Sequence, residues 1–202
     1  MTSMNPLITI IGPSGVGKTA LMRALCAAQT FATGVEQHIE RPFQTLFKQD
    51  KRYALANQID YLLLRIEQER DLRGSNSIAL MDGGLDLDFH GFTRLFRDQG
   101  MLSGAEYDLC ARIYSLARET FPPPDQIIRL SAPQSVIEKR LASRERINIA
   151  SAQDAEKLER YMDEWLMEID PRRIIKIDAS QHDPSYRIIV PELLRKINTL
   201  EK

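Results

Sequence analysis

The sequence predicts an α/β fold in three layers, a P-loop kinase-type architecture. A five-stranded parallel sheet is flanked by helices, with a small helical lid at about residues 140–152, all in one domain of 202 residues. Three observations carry this expectation. Short apolar runs alternate with longer stretches of helical periodicity. No internal repeat or low-complexity tract divides the chain. A glycine-rich loop, "IGPSGVGKTA", lies between the first apolar run and the first helical pattern.

The elements follow in order. "PLITII" reads as a short buried strand, and the helical pattern over 17–28 includes "KTALMRALCAA". "TGVE" (33–36) is a second, short strand, followed by a helical pattern over 50–72. "IALM" (78–81) is the third strand, with helical patterns over 86–98 and 103–120 behind it. Pro122-Pro123-Pro124 closes the second of these, because proline cannot continue a helix. "QIIRL" (126–130) is the fourth strand, and helical patterns follow over 133–146 and 152–169. "RIIKID" (173–178) is the fifth strand, and the last helical pattern covers 186–199, with Pro191 expected to kink or interrupt it.

The loop is the strongest chemical signal. Gly12-x4-Gly17-Lys18-Thr19 fits the P-loop pattern, in the strand–loop–helix context it requires. Glycines let the backbone turn sharply so that successive N–H groups face one concavity suited to an anion. The start of the following helix adds the positive end of its dipole. Gly12, Pro13, Ser14, Gly15, Val16, Gly17, Lys18 and Thr19 are therefore the expected nucleotide-phosphate site. Lys18 would reach the β- and γ-phosphates, and Thr19 would offer its hydroxyl to Mg²⁺.

Bulk properties narrow the classes. A net charge of −1 argues against a protein built to bind a nucleic acid polymer. No signal peptide and no apolar run of membrane-spanning length is found, so a soluble cytoplasmic protein is expected. The two cysteines, Cys26 and Cys110, fall in helical patterns and read as reduced core residues. His38, His90 and His182 show no metal-ligand spacing, and Trp165 reads as helix packing.

Ligands of a parallel sheet gather at the carboxyl ends of its strands. Glu36 follows the second strand, and Asp82, in "ALMDGG", follows the third. After the fourth comes "SAPQSVIEKRLASRER", a helix ending in Arg144 and Arg146. This inventory suits phosphoryl transfer from ATP. Thr19 and Asp82 can hold Mg²⁺, a carboxylate can take the acceptor's proton, and cations can neutralise the transferred group. A guanine-reading Asn/Thr-Lys-x-Asp motif is absent. Asp88-Phe89-His90-Gly91 spells D-x-x-G, but inside a helical pattern.

"VEQHIERPFQTLFKQDKRYALANQIDYLLLR" (35–65), "MDGGLDLDFHGF" (81–92) and "RLASRER…LERYMDEWL" resemble the deoxynucleoside kinase family, in the same order and spacing over residues 8–166. The resemblance implies that Glu36 deprotonates the acceptor 5′-hydroxyl, with Glu40 as the alternative. It implies that Gln58 bonds the base edge and that Arg65 faces the same cleft seven residues on. Asp88 matches an aspartate that pairs with this arginine in members taking purine or cytosine deoxynucleosides. Phe92 is placed to stack on the base, and Arg144 and Arg146 match lid arginines that grip the donor phosphates. A homodimer is also implied, with the helices at 50–72 and 103–120 long enough to serve.

The match departs from the family at three places. An Asp/Glu-Arg-Ser triplet usually follows the third strand, where this chain has Asp82-Gly83-Gly84. Losing that arginine costs several kcal/mol in the transition state unless another cation replaces it. Arg41, Arg52 and Arg94 are the candidates. A tyrosine that holds the sugar 3′-hydroxyl corresponds to Phe47, and the lid carboxylate sharing that task falls near Ile149. The base-reading set thus survives while the sugar-reading set is altered. The two sugar changes together point to an acceptor without a 3′-hydroxyl or already carrying a phosphate, and Gly83-Gly84 would leave room near its 5′ end. Two other readings remain open: a nucleoside monophosphate kinase or similar small P-loop kinase, and a nucleotide-binding protein without turnover.

Overall fold

The computed structural model describes residues 4–34, 41–142, 152–180 and 185–201. Five parallel strands form one sheet in the order β2-β3-β1-β4-β5. They are β1 (Leu7–Ile11), β2 (Ala32–Gly34), β3 (Ala79–Asp82), β4 (Gln126–Ser131) and β5 (Ile174–Asp178). All five residues of β1 are buried, as a central strand covered on both faces requires.

Alternation along β1 sends Ile8 and Ile10 to one face. There they meet Leu21, Met22 and Leu25 of α1 (Lys18–Ala28) and Val190, Leu193 and Ile197 of α8 (Val190–Ile197). Ile11 and Ile127 face the opposite layer, packed by Leu158, Met162 and Trp165 of α7 (Ala152–Leu166). Leu72 of α3 (Ala54–Arg73) covers Leu7 and Met81 on that layer. The three-layer expectation holds, and the five strands fall where the apolar runs placed them.

Several expectations are corrected. A helix not foreseen, α2 (Pro42–Gln49), precedes α3, and the turn Lys51–Tyr53 between them is 3₁₀. Pro42 starts α2, where its missing N–H costs nothing. Pro191 does the same in the first turn of α8, so it opens that helix instead of kinking it. The pattern over 86–98 is not one α-helix: Leu87–Thr93 is a π-helix, continued by α4 (Arg94–Asp98). Cys26 is exposed, because it lies on the outer side of α1; Cys110 is buried, and burial pushes its thiol up to about 11.

α5 (Gly104–Thr120) opens on a capping box, Ser103 with Glu106, and ends before the three prolines. It carries Arg118 into a buried charge network. Arg118 bonds both oxygens of Asp86 (3.0 and 2.9 Å) and both of Glu69 (3.0 and 3.1 Å). Glu69 also accepts from Arg73 at 2.9 Å. Burial alone would lower the Arg118 pKa, but Asp86 and Glu69 outweigh it and hold the guanidinium well above its usual value. Tyr114 donates to Asp86 at 2.8 Å and stacks on Phe89 of the π-helix, with ring centroids 4.3 Å apart. His90 stacks on Trp165 and lies 3.0 Å from the Tyr114 hydroxyl; burial lowers its pKa to about 4, so it is neutral at pH 7. The π-helix is thereby held between α5 and α7. Arg118→Met leaves two buried carboxylates under-compensated. It should lower unfolding stability by about 3 kcal/mol in urea titrations.

Candidate active site

β1 and β3 are hydrogen-bonded neighbours with Ile10 opposite Asp82, so their carboxyl ends open side by side. The loop after β1 turns at Gly12, where φ is +151° and an added Cβ would stand 2.5 Å from the Leu130 carbonyl oxygen. Only glycine fits that approach of the loop to β4. Lys18 Nζ donates to the Gly12 and Pro13 carbonyls at 2.9 and 3.2 Å, arching over the loop. Thr19 Oγ1 donates to Asp82 Oδ2 at 2.7 Å, tying the start of α1 to the end of β3. Asp82 Oδ1 is buried and has no hydrogen-bond partner among the described residues. A carboxylate oxygen left so, beside a threonine hydroxyl at the mouth of a phosphate loop, fits a divalent cation.

The loop's outer flank is buttressed from far along the chain. Arg140 of α6 (Gln134–Ala142) donates to the Val16 carbonyl at 2.8 Å and to the Ala179 carbonyl at 3.0 Å. Tyr186, with φ of 51°, packs its hydroxyl against Gly17. The sequence reading did not single out either residue. Arg140 lay inside the quoted lid segment, but nothing local to Tyr186 signals a partner so distant in sequence.

A cavity of about 70 Å³ joins the phosphate loop to the π-helix. Gly12, Pro13, Ser14 and Lys18 form one end, and Arg65, Asp82, Gly83 and Asp88 one wall. Leu87, Phe92, Leu158 and Met162 make the apolar wall. Arg65 Nε bonds Asp88 Oδ2 at 2.8 Å, with both side chains nearly sealed from solvent. Gln58, buried on α3, donates through Nε2 to the Asp88 carbonyl (3.0 Å) and to Thr93 Oγ1 (2.8 Å). It therefore pins the turn that carries Asp88.

Comparison with known proteins decides what this cleft belongs to. A family model described as deoxynucleoside kinase matches residues 8–196. The chain belongs to the deoxynucleoside kinase family. Membership makes it an ATP-dependent nucleoside kinase. It is similar to a deoxyadenosine/deoxycytidine kinase from Bacillus subtilis (strain 168), 23% identical over 184 residues, 89% of this chain and 85% of that one. Among solved structures, deoxyadenosine kinase from M. mycoides with bound dATP aligns with a TM-score of 0.78 at 19% identity, covering 95% of this chain and 98% of the other. The same enzyme with the products dCMP and a flexible dCDP gives 0.76 at 18% identity, covering 96% and 99%.

Of the site residues expected from sequence, the cavity gathers Gly12, Pro13, Ser14, Lys18, Arg65, Asp82, Asp88 and Phe92. Gln58 is not among its lining residues; it stands behind Asp88. Phe47 is buried against Phe96, with Lys51 over its ring, and does not line the cavity. Glu36, Glu40, Arg144, Arg146 and Ile149 lie outside the described residues. Gly12→Ala should abolish ATP binding, and Lys18→Ala should weaken it at least tenfold, both read by calorimetry with an ATP analogue. Unchanged affinity in Lys18→Ala contradicts the phosphate site.

Proposed function

We propose that the chain transfers the γ-phosphate of ATP to the 5′-hydroxyl of a purine or cytosine deoxynucleoside, with Mg²⁺. The observation that carries this reading is the shared cavity: the phosphate loop ends where the Arg65–Asp88 pair and Phe92 begin. Adenine and cytosine present an exocyclic amino group, which a carboxylate accepts, beside a ring nitrogen acceptor. Asp88, fixed by Arg65 and by Gln58 behind it, offers that carboxylate, and Phe92 offers a ring face. The B. subtilis relative's name, deoxyadenosine/deoxycytidine kinase, agrees with this choice of base.

In the mechanism we assign, the loop amides and Lys18 hold the phosphates, and Arg144 and Arg146 supply further positive charge to them. Glu36, or Glu40 in its place, takes the 5′-hydroxyl proton. Thr19 and Asp82 would hold the Mg²⁺, which would supply positive charge to the donor phosphates. Among the described residues, no helix is long and apolar enough to cross a membrane, and we assign the enzyme to the cytoplasm. α3 and α5 pack side by side through Leu62, Cys110 and Ala117 and expose Leu63, Leu109 and Leu116. We assign this face to a homodimer.

An ADP-release screen over deoxynucleosides, dideoxynucleosides and monophosphates tests the reading. Turnover is expected with deoxyadenosine, deoxyguanosine or deoxycytidine and not with thymidine. Turnover confined to monophosphates, or absent with every acceptor, overturns it. Turnover that depends strictly on the 3′-hydroxyl removes the relaxed sugar selection expected from Phe47. Gln58→Ala, by loosening Asp88, should raise acceptor KM severalfold and leave ATP affinity unchanged.

A further inference from the structure

Phosphoryl transfer needs positive charge where the acceptor oxygen meets the γ-phosphate, and the segment at the end of β3, Asp82-Gly83-Gly84, supplies none. The three arginines that the sequence offered as substitutes are engaged elsewhere. Arg41 holds Asp60 at 2.5 Å, Arg52 holds Asp50 at 2.7 Å in an exposed pair, and Arg94 holds Glu164 at 2.6 Å. None of them lines the cavity. Among the described residues that do line it, Lys18 and Arg65 are the cations, and Lys18 is drawn to the loop carbonyls.

Arg65 is aimed at the gap. Its Nη1 reaches toward the Asp82 carbonyl at 3.4 Å and bonds Gln68 Oε1 at 3.1 Å. A Cβ built on Gly83 would stand 3.3 Å from its Nη2 and 3.8 Å from its Cζ. The guanidinium therefore occupies the space that a side chain at 83 would enter. Gly83 also has φ of +80°, a left-handed conformation that side chains other than glycine's rarely adopt. The bond to Asp88 runs through Nε, at one edge of the fork, and the opposite edge lies over the strand end.

We propose that Arg65, lying over Gly83, is a catalytic residue: its guanidinium donates to the transferred phosphoryl group and the acceptor 5′-oxygen. This rests on the kinase reading above. In the step, the 5′-oxygen forms its bond to the γ-phosphorus, and the bond from that phosphorus to the bridging oxygen of ADP breaks. The hydroxyl proton goes to the general-base carboxylate. Arg65 keeps its protons and stabilises the charge on the oxygens in transit. It thus serves two ends of one acceptor, fixing Asp88 at the base and meeting the phosphoryl group at the sugar.

Single-turnover rates and acceptor KM, measured with two accepted nucleosides of different base, test this. Because removing Arg65 alone strands the buried Asp88 carboxylate, the informative protein is the Arg65→Gln/Asp88→Asn double variant, which keeps a neutral pair. It should lose at least a hundredfold in transfer rate, by the same factor for both nucleosides, with ATP affinity retained. Asp88→Asn alone, which keeps the cation, should act mainly on KM and cost less than tenfold in rate. Added guanidinium ion should recover part of the rate in an Arg65→Ala/Asp88→Asn protein. The proposal fails if the double variant changes only KM, or if its loss in rate follows the identity of the base. A wild-type protein that binds ATP but phosphorylates no nucleoside sinks the kinase reading, and the role of Arg65 with it.

Discussion

The hydrogen bond from Thr19 Oγ1 to Asp82 Oδ2 joins the start of α1 to the end of β3, 63 residues apart in the chain. It forms because β1 and β3 are parallel neighbours with Ile10 opposite Asp82, which delivers both residues to one edge of the sheet. Slipping the register by one residue would turn Asp82 toward the opposite face and place an apolar side chain against the phosphate loop. The continuous burial of β1 and β3 makes that slip costly. The cation site, the phosphate concavity and the acceptor wall all take their positions from this pairing. Stability of the sheet and placement of the chemistry are one constraint.

The acceptor wall is held differently, by charge. Arg65 and Asp88 are both sealed from solvent, and a buried ion pair commonly adds little net stability, since desolvation offsets attraction. Its value lies in geometry. A planar fork held at Nε has few orientations, so the rest of the guanidinium has a fixed aim. Gln58 and Thr93 fix the Asp88 carbonyl, while Tyr114 and Trp165 hold the aromatic side chains of the same π-turn. π-helical turns recur at functional sites, and this one places Asp88 and Phe92 on the same cavity.

Local signals were legible in the sequence, and distant ones were not. The phosphate loop could be read because glycine spacing, lysine and threonine act within eight residues, and the strands because apolar runs of that length have few other uses. The Arg65–Asp88 pair was legible only through family resemblance, since 23 residues separate its partners. Helical periodicity marked 86–98 correctly as helical, but the apolar pattern does not distinguish a π-turn from an α-turn. Proline was read as a breaker at 191, although at the first turn of a helix it is a starter. Cys26 was read as core because it falls in a helical pattern, yet the buried stripe of α1 runs through Leu21, Met22 and Leu25. Tyr186 and Arg140 reach the phosphate loop from elements late in the chain, and no local spacing encodes that contact.

The substitute for the missing motif arginine shows the same limit from another direction. Judged along the chain, Arg41, Arg52 and Arg94 were the candidates, and nothing in the sequence chose among them. Each is instead paired away from the cavity, whose lining includes none of them. Arg65 had already been given a role at the base, and a sequence reading assigns a residue one task at a time. In three dimensions a guanidinium spans several ångströms and has donors at both ends. With glycine at 83, one arginine can hold the aspartate at one edge and lie over the strand end with the other. A larger residue at 83 would have to displace it, so positions 65 and 83 are coupled through the same volume. An arginine restored at 83 would therefore disturb Arg65 before it could assist the reaction, and family motif and local geometry cannot be exchanged one residue at a time.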